Sequence, residues 1–91
     1  MTRDTRAEAA AIREILHRDW DPIGGVPVDE YDGYVWPVYG LLIRNAGRDE
    51  VTAYLRWAAD VRIACPVPEA RLNAVVDKLM ALGFGTKNPP A

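Results

Sequence analysis

His17 and Asp21 stand four residues apart, so a single helix carrying both would place a carboxylate beside an imidazole, the arrangement a general base uses. The same pair arises when a histidine near a helix C-terminus settles at the negative end of the helix dipole. A small hydrolytic or metal-dependent enzyme built on His17 and Asp21 is therefore the alternative reading, not the leading one. The chain has no serine, which closes Ser-His-Asp chemistry. Its one cysteine, Cys65, precedes Pro66, and the proline removes the backbone donor that would help hold an oxyanion. Cys65 reads as a structural or incidental thiol, and no residue is assigned as catalytic.

His17, Asp19, Asp21, Asp29, Glu30 and Asp32 offer the oxygen-rich surroundings that calcium, magnesium or manganese prefer. Their spacing lacks the alternating acids, central glycine and closing glutamate of an EF-hand loop. One Cys and one His cannot complete a tetrahedral zinc site. Gly24-Gly25 follows no strand pattern and has no neighbouring lysine to reach a phosphate, so it reads as a turn. No metal and no cofactor is expected.

Charge and aromatic content point elsewhere. The net charge is −2, without the basic footprint of a general nucleic-acid binder. The carboxylates Asp19, Asp21, Asp29, Glu30 and Asp32 occupy a stretch containing no basic residue. Tyr31, Tyr34, Trp36, Tyr39, Tyr54 and Trp57 follow or overlap it, and helical geometry cannot turn all of them into one core. Trp36 and Tyr39 lie off the Tyr34-Val38 line and Trp57 off the Tyr54-Ala58 line, which implies a second apolar face. Arg44, Arg48, Arg56 and Arg62 can line one side of the middle helices, which suits an acidic ligand, the acidic segment of the same protein or a solvated surface.

The elements that must position these groups are four amphipathic helices. Thr5-Arg6-Ala7-Glu8 fits a capping box and opens a helix over 5–19, with Ala9, Ile12, Ile15 and Leu16 inward. Asp21-Pro22 stops it, and the stretch to Pro27 reads as a loop. Asp29 caps a second helix over 29–46, kinked or broken near 33–37, because Pro37 leaves the carbonyl of Gly33 unbonded. Asn45-Ala46-Gly47 supplies a left-handed glycine stop and Asp49 the cap of a third helix over 49–64, with Val51, Tyr54, Leu55, Ala58 and Val61 or Arg62 inward. Pro68 suits the first turn of a fourth helix over 68–82, ended by Gly83. No segment alternates over strand length and no internal repeat is present, so the fold class is an all-α four-helix domain over residues 1–91 with a frayed tail at 85–91.

The longest apolar runs fall far short of a membrane span, and Met1–Glu14 lacks the basic and apolar regions of a secretory signal. The cytoplasm is the expected location, with no membrane partner.

Trp20-Asp21-Pro22-Ile23-Gly24, then Asp29-Glu30-Tyr31-Asp32-Gly33-Tyr34 and Tyr39-Gly40-Leu41-Leu42, resemble a family of small bacterial helical proteins of unknown function with a W-D-P-I-G and D-E-Y-D-x-Y signature. The resemblance covers about residues 12–82. It departs at Gly25, an extra glycine, and at Pro37, one place late. It implies a helical fold and a bacterial origin, and it brings no catalytic residue. The leading expectation is a non-enzymatic interaction domain that self-associates or binds a protein partner, as an inhibitor does. Its surface lies over residues 17–39, with Asp21, Asp29, Glu30, Asp32, Trp36 and Tyr39 as contact residues.

Overall fold

In a computed structural model of the chain, residues 4–84 are described, and the expected frayed tail 85–91 lies outside them. The protein is all-α, with four helices and no strand among the described residues: α1 (Thr5–Ile15), α2 (Asp32–Ile43), α3 (Arg48–Trp57) and α4 (Glu69–Ala81). Two of them end in a wider π-helical turn, Leu16–Trp20 after α1 and Ala58–Ile63 after α3.

Helix α1 is capped by Asp4, whose carboxylate accepts the amide of Ala7 at 3.1 Å, and not by the Thr5/Glu8 box. Aspartate at this position satisfies one of the free amides of the first turn, and Glu8 instead accepts the Tyr39 hydroxyl at 2.6 Å. Ile12, Leu16 and Trp20 form the inward stripe, all fully buried. The π turn shows in the amide of Asp21, which reaches five residues back to the carbonyl of Leu16 at 2.9 Å. Asp21 then takes a φ of +28° and ends the helix.

The second helix begins at Asp32 and not at Asp29. Residues 27–32 are spent on two tight turns, Glu30 N to Pro27 O and Asp32 N to Asp29 O, both 3.1 Å, so Asp29 caps no helix. Of the kink or break expected near 33–37, the break is absent, because α2 runs through Pro37. Proline here forfeits one intrahelical bond, and the carbonyl left over belongs to Gly33, which is exposed to water. At the other end the left-handed residue is Asn45 (φ +58°) and not Gly47, which is extended at −69° and precedes α3 in place of the expected Asp49 cap. Asparagine tolerates this conformation through its short polar side chain.

In α3 the π turn changes which residues face inward. Val51, Leu55, Ala58 and Ala59 are buried, whereas Val61 and Arg62, one of which was expected inside, are both exposed, Val61 by 64%, and Ile63 is half-buried. A π turn holds more residues than an α turn, so the next inward position falls beyond Val61. The turn closes at Ala64, left-handed at φ +63°, with the Cys65 amide bonded to the carbonyl of Ala59 at 2.8 Å. Helix α4 buries Leu72, Val75, Val76 and Leu79 and meets Gly83 at φ +68°.

Helix α2 lies against α1 and α3, while α4 lies against α3, α1 and the π turn that carries Trp20. Trp20 meets Tyr31 and Tyr34 edge-on, at centroid distances of 5.4 and 5.6 Å. No helix of the described residues is long and apolar enough to cross a membrane.

Candidate functional site

Helix α2 is apolar on every side: Asp32 is its sole charged residue, and its hydrophobic positions follow no single face. A helix of that composition is ordinarily enclosed. Here only one side is. Val35, Val38, Tyr39 and Leu42 enter the core, while Trp36 stays 57% exposed and Ile43 40%. Gly33 and Gly40 flank Trp36, three residues before and four after, and an added Cβ at either would meet nothing within 4 Å. The outward side of α2 is thus low at Gly33 and Gly40, with Trp36 standing between them and Ile43 beyond.

Beside that side chain lies a groove of about 310 Å³ between α1 and α2. Ala9, Ala10 and Val35 form its apolar lining, Arg6, Arg13 and Asp32 its charged lining, and Trp36 part of its wall. Alanine after alanine on α1 leaves the space open, since no side chain extends past Cβ. A second recess of about 300 Å³ shares Ala10 and Arg13 and continues to Glu14, His17, Arg18 and Val28. Arg13 bridges the helices by a two-pronged pair with Asp32, Nε to Oδ1 at 2.8 Å and Nη2 to Oδ2 at 2.6 Å. The carboxylate raises the already high pKa of the guanidinium, so Arg13 stays charged.

The residues expected at the contact surface separate into two groups. Trp36 and Asp32 border the groove between α1 and α2, and Asp29 and Glu30 are exposed in the turns before α2. Tyr39 does not: it is 6% exposed, packed edge-on against Trp36 at 5.5 Å and tilted against Phe84 at 5.9 Å, with its hydroxyl on Glu8. Asp21 also belongs to the fold. Its Oδ1 accepts the Tyr31 hydroxyl at 2.7 Å and the amide of Gly24 at 3.0 Å, and the Tyr31 oxygen accepts the amide of Ile23 at 3.0 Å. The left-handed Gly24 and Gly25 let the chain turn tightly enough to make these bonds. Burial first, and then the bond to Asp21, push the Tyr31 phenol up to about 12.

His17 is turned to the loop, its Nε2 2.9 Å from the carbonyl oxygen of Val26. The structure therefore directs His17 and Asp21 to different partners. Among the described residues no group of three or more His, Cys, Asp or Glu could hold a metal ion. The arginines of the middle helices are taken up within the chain: Arg44 by Glu50 at 2.5 Å, Arg48 by Asp77 at 2.5 Å, and Arg56 by Glu69. Arg62 lies over Trp57, 5.8 Å from the ring centroid, and so shelters the other exposed tryptophan.

Arg6, Ala9, Ala10 and Arg13 carried no sequence signal of a site. The alanine-rich run of α1 signals a helix, and only its position against α2 makes it a groove.

No family model, no curated protein and no solved structure matches this chain.

Proposed function

We propose that this chain is a protein-interaction domain whose contact face is the outward side of α2 together with the adjoining α1/α2 groove. The observation that carries the reading is Trp36: a large aromatic, 57% exposed, on a helix with no charge after Asp32, bordering an apolar-floored recess. Tryptophan and arginine are the residues most enriched at binding hot spots, where a recess and a rim of charge accompany them. Here Arg6, Arg13 and Asp32 supply that rim. The chemistry asked of these groups is burial and pairing, and none has to move a proton.

Site-specific photo-crosslinking in cells tests the reading. A benzophenone side chain placed at position 36 is expected to form protein adducts. The same group at Ala74, exposed on α4, is expected to form few. Equal labelling from both positions, or none from position 36, overturns the assignment of the face.

A further inference from the structure

We infer that the partner enters this face as an extended peptide segment lying along α1, with an acidic side chain on Arg6 and aliphatic side chains two and four residues further on. The inference rests on the proposed interaction face and names the chemistry of its partner.

Arg6 selects the acid. Of the arginines among the described residues, Arg13, Arg18, Arg44, Arg48 and Arg56 are each paired with a carboxylate, and Arg62 lies over Trp57. Arg6 and Arg71 have no partner among the described residues. Arg71 shares its recess with Asp19 and Asp21. Arg6 instead lines a groove whose other charges cancel, because both oxygens of Asp32 are occupied by Arg13. The net charge left in the groove is therefore positive and sits on Arg6, which a carboxylate complements.

The shape of the groove selects an extended chain. The groove of about 310 Å³ and the second recess of about 300 Å³ share Ala10 and Arg13, so they form one trough from Arg6 to His17. At the helical rise per residue that trough is about 16 Å long. About five residues of extended chain span the same length.

Spacing then sets the sequence pattern. Ala9 and Ala10 stand three and four positions after Arg6, one helical turn or about 5.4 Å along α1. Side chains on one side of an extended chain recur at every second residue, about 6.6 Å apart. A carboxylate on Arg6 thus places the side chain two residues on over Ala9, Ala10 and Val35, against the ring of Trp36. The open alanine floor leaves room there for an aliphatic group the size of leucine. The next side chain on the same side reaches the second recess, where Val28 is 52% exposed.

His17 offers the backbone of such a segment an acceptor. Its Nε2 donates to the Val26 carbonyl, so in the neutral ring Nδ1 is an acceptor, and it has no partner among the described residues. His17 lines the second recess, where a peptide amide can supply the missing donor.

Titration of pentapeptides into isotope-labelled protein, followed by amide chemical shifts at low salt, tests the inference. The probes are acetylated, amidated Asp-Gln-Leu-Gln-Val and its reverse, which cover both chain directions, each with a version carrying Asn in place of Asp. One acidic peptide is expected to shift the amides of Ala9, Ala10 and Trp36 and to bind about threefold more tightly than its asparagine version. Arg6→Gln is expected to abolish that preference and Arg71→Gln to preserve it. Trp36→Ala is expected to weaken the binding about tenfold with helical circular dichroism unchanged. All three substituted positions are exposed. The inference is overturned by the absence of binding up to millimolar peptide, by equal binding of the acidic and asparagine versions, or by shifts confined to residues outside the trough. An equal loss of preference in Arg6→Gln and Arg71→Gln also overturns it. In each of these cases protein adducts from the crosslinker at position 36 leave the interaction face standing with a different partner chemistry. Peptides that fail to bind, together with no adducts from position 36, overturn both.

Discussion

Tyr31 and Asp21 are ten residues apart in sequence and 2.7 Å apart at their oxygens, with the hydroxyl of one donated to the carboxylate of the other. Because the same hydroxyl accepts the amide of Ile23 and the same carboxylate accepts the amide of Gly24, this pair closes the whole loop between α1 and α2. Tyr31→Phe is expected to destabilise the protein by about 1–2 kcal/mol, the net worth of two part-buried hydrogen bonds. Urea unfolding measures it. Asp21→Ala is expected to fall in the same range, and the double variant to cost less than the two singles together, as coupled residues require.

The same phenol makes the fold sensitive to alkali. Its pKa is raised from 10.0 to about 12 in the folded state, so the protein holds the neutral phenol more firmly than the unfolded chain does. That contribution is complete below pH 10 and is lost as the pH rises toward 12. Unfolding midpoints are expected to fall over this window, and in Tyr31→Phe the fall is expected to be smaller. An equal fall in both proteins counts against the assignment.

Trp20 and Trp36 should respond in opposite ways to the same substitution. Trp20 is fully buried between Tyr31 and Tyr34, and truncation to alanine is expected to cost about 3–5 kcal/mol. Trp36→Ala removes an exposed ring with one edge contact to Tyr39 and is expected to cost about 1 kcal/mol or less. The Trp20 indole nitrogen has no hydrogen-bond partner although it is buried. Trp20→Phe, which deletes that donor and keeps an aromatic ring, is expected to cost less than Trp20→Ala. Urea midpoints of the three variants order them.

Ala64 holds a left-handed conformation at φ +63° to close the π turn after α3. An alanine there bears steric strain of roughly 1–2 kcal/mol that glycine does not, against a smaller entropic loss for glycine. Ala64→Gly is expected to raise thermal stability by up to about 1 kcal/mol. A lower melting temperature would show that the strain is not there.

His17 serves the loop through the Val26 carbonyl. His17→Ala is accordingly expected to cost about 1 kcal/mol, the net worth of one hydrogen bond. Melting temperatures are expected not to change with millimolar magnesium, manganese, calcium or zinc. A metal-dependent rise that His17→Ala abolishes would restore the metal-dependent reading.

The all-helical class was legible, and so was the inward stripe of α1, because a 3.6-residue period is a local property that neighbouring residues express without knowledge of the rest. Helix ends were less so. Thr5, Asp29 and Asp49 all have the chemistry of a cap, but Asp4, two tight turns and Gly47 occupy the places where caps would act. Which of several competent residues meets the free amides depends on where the chain enters each helix. The two π turns were not legible either, and one of them exposes Val61.

What the sequence by itself determined is a set of apolar and polar faces, a surplus of aromatics and the absence of serine. It also placed a carboxylate-rich stretch before α2. Tertiary packing decided how those were spent. It took Asp21 and Tyr31 to close a loop, and drew Tyr39 inward against Phe84 and Glu8. It left Trp36 outside, beside a groove that exists only where the alanines of α1 face α2. Periodicity assigns a residue to a side of its own helix. Whether that side is covered depends on the other helices, and with α1 and α3 packed against it α2 still keeps an apolar side uncovered.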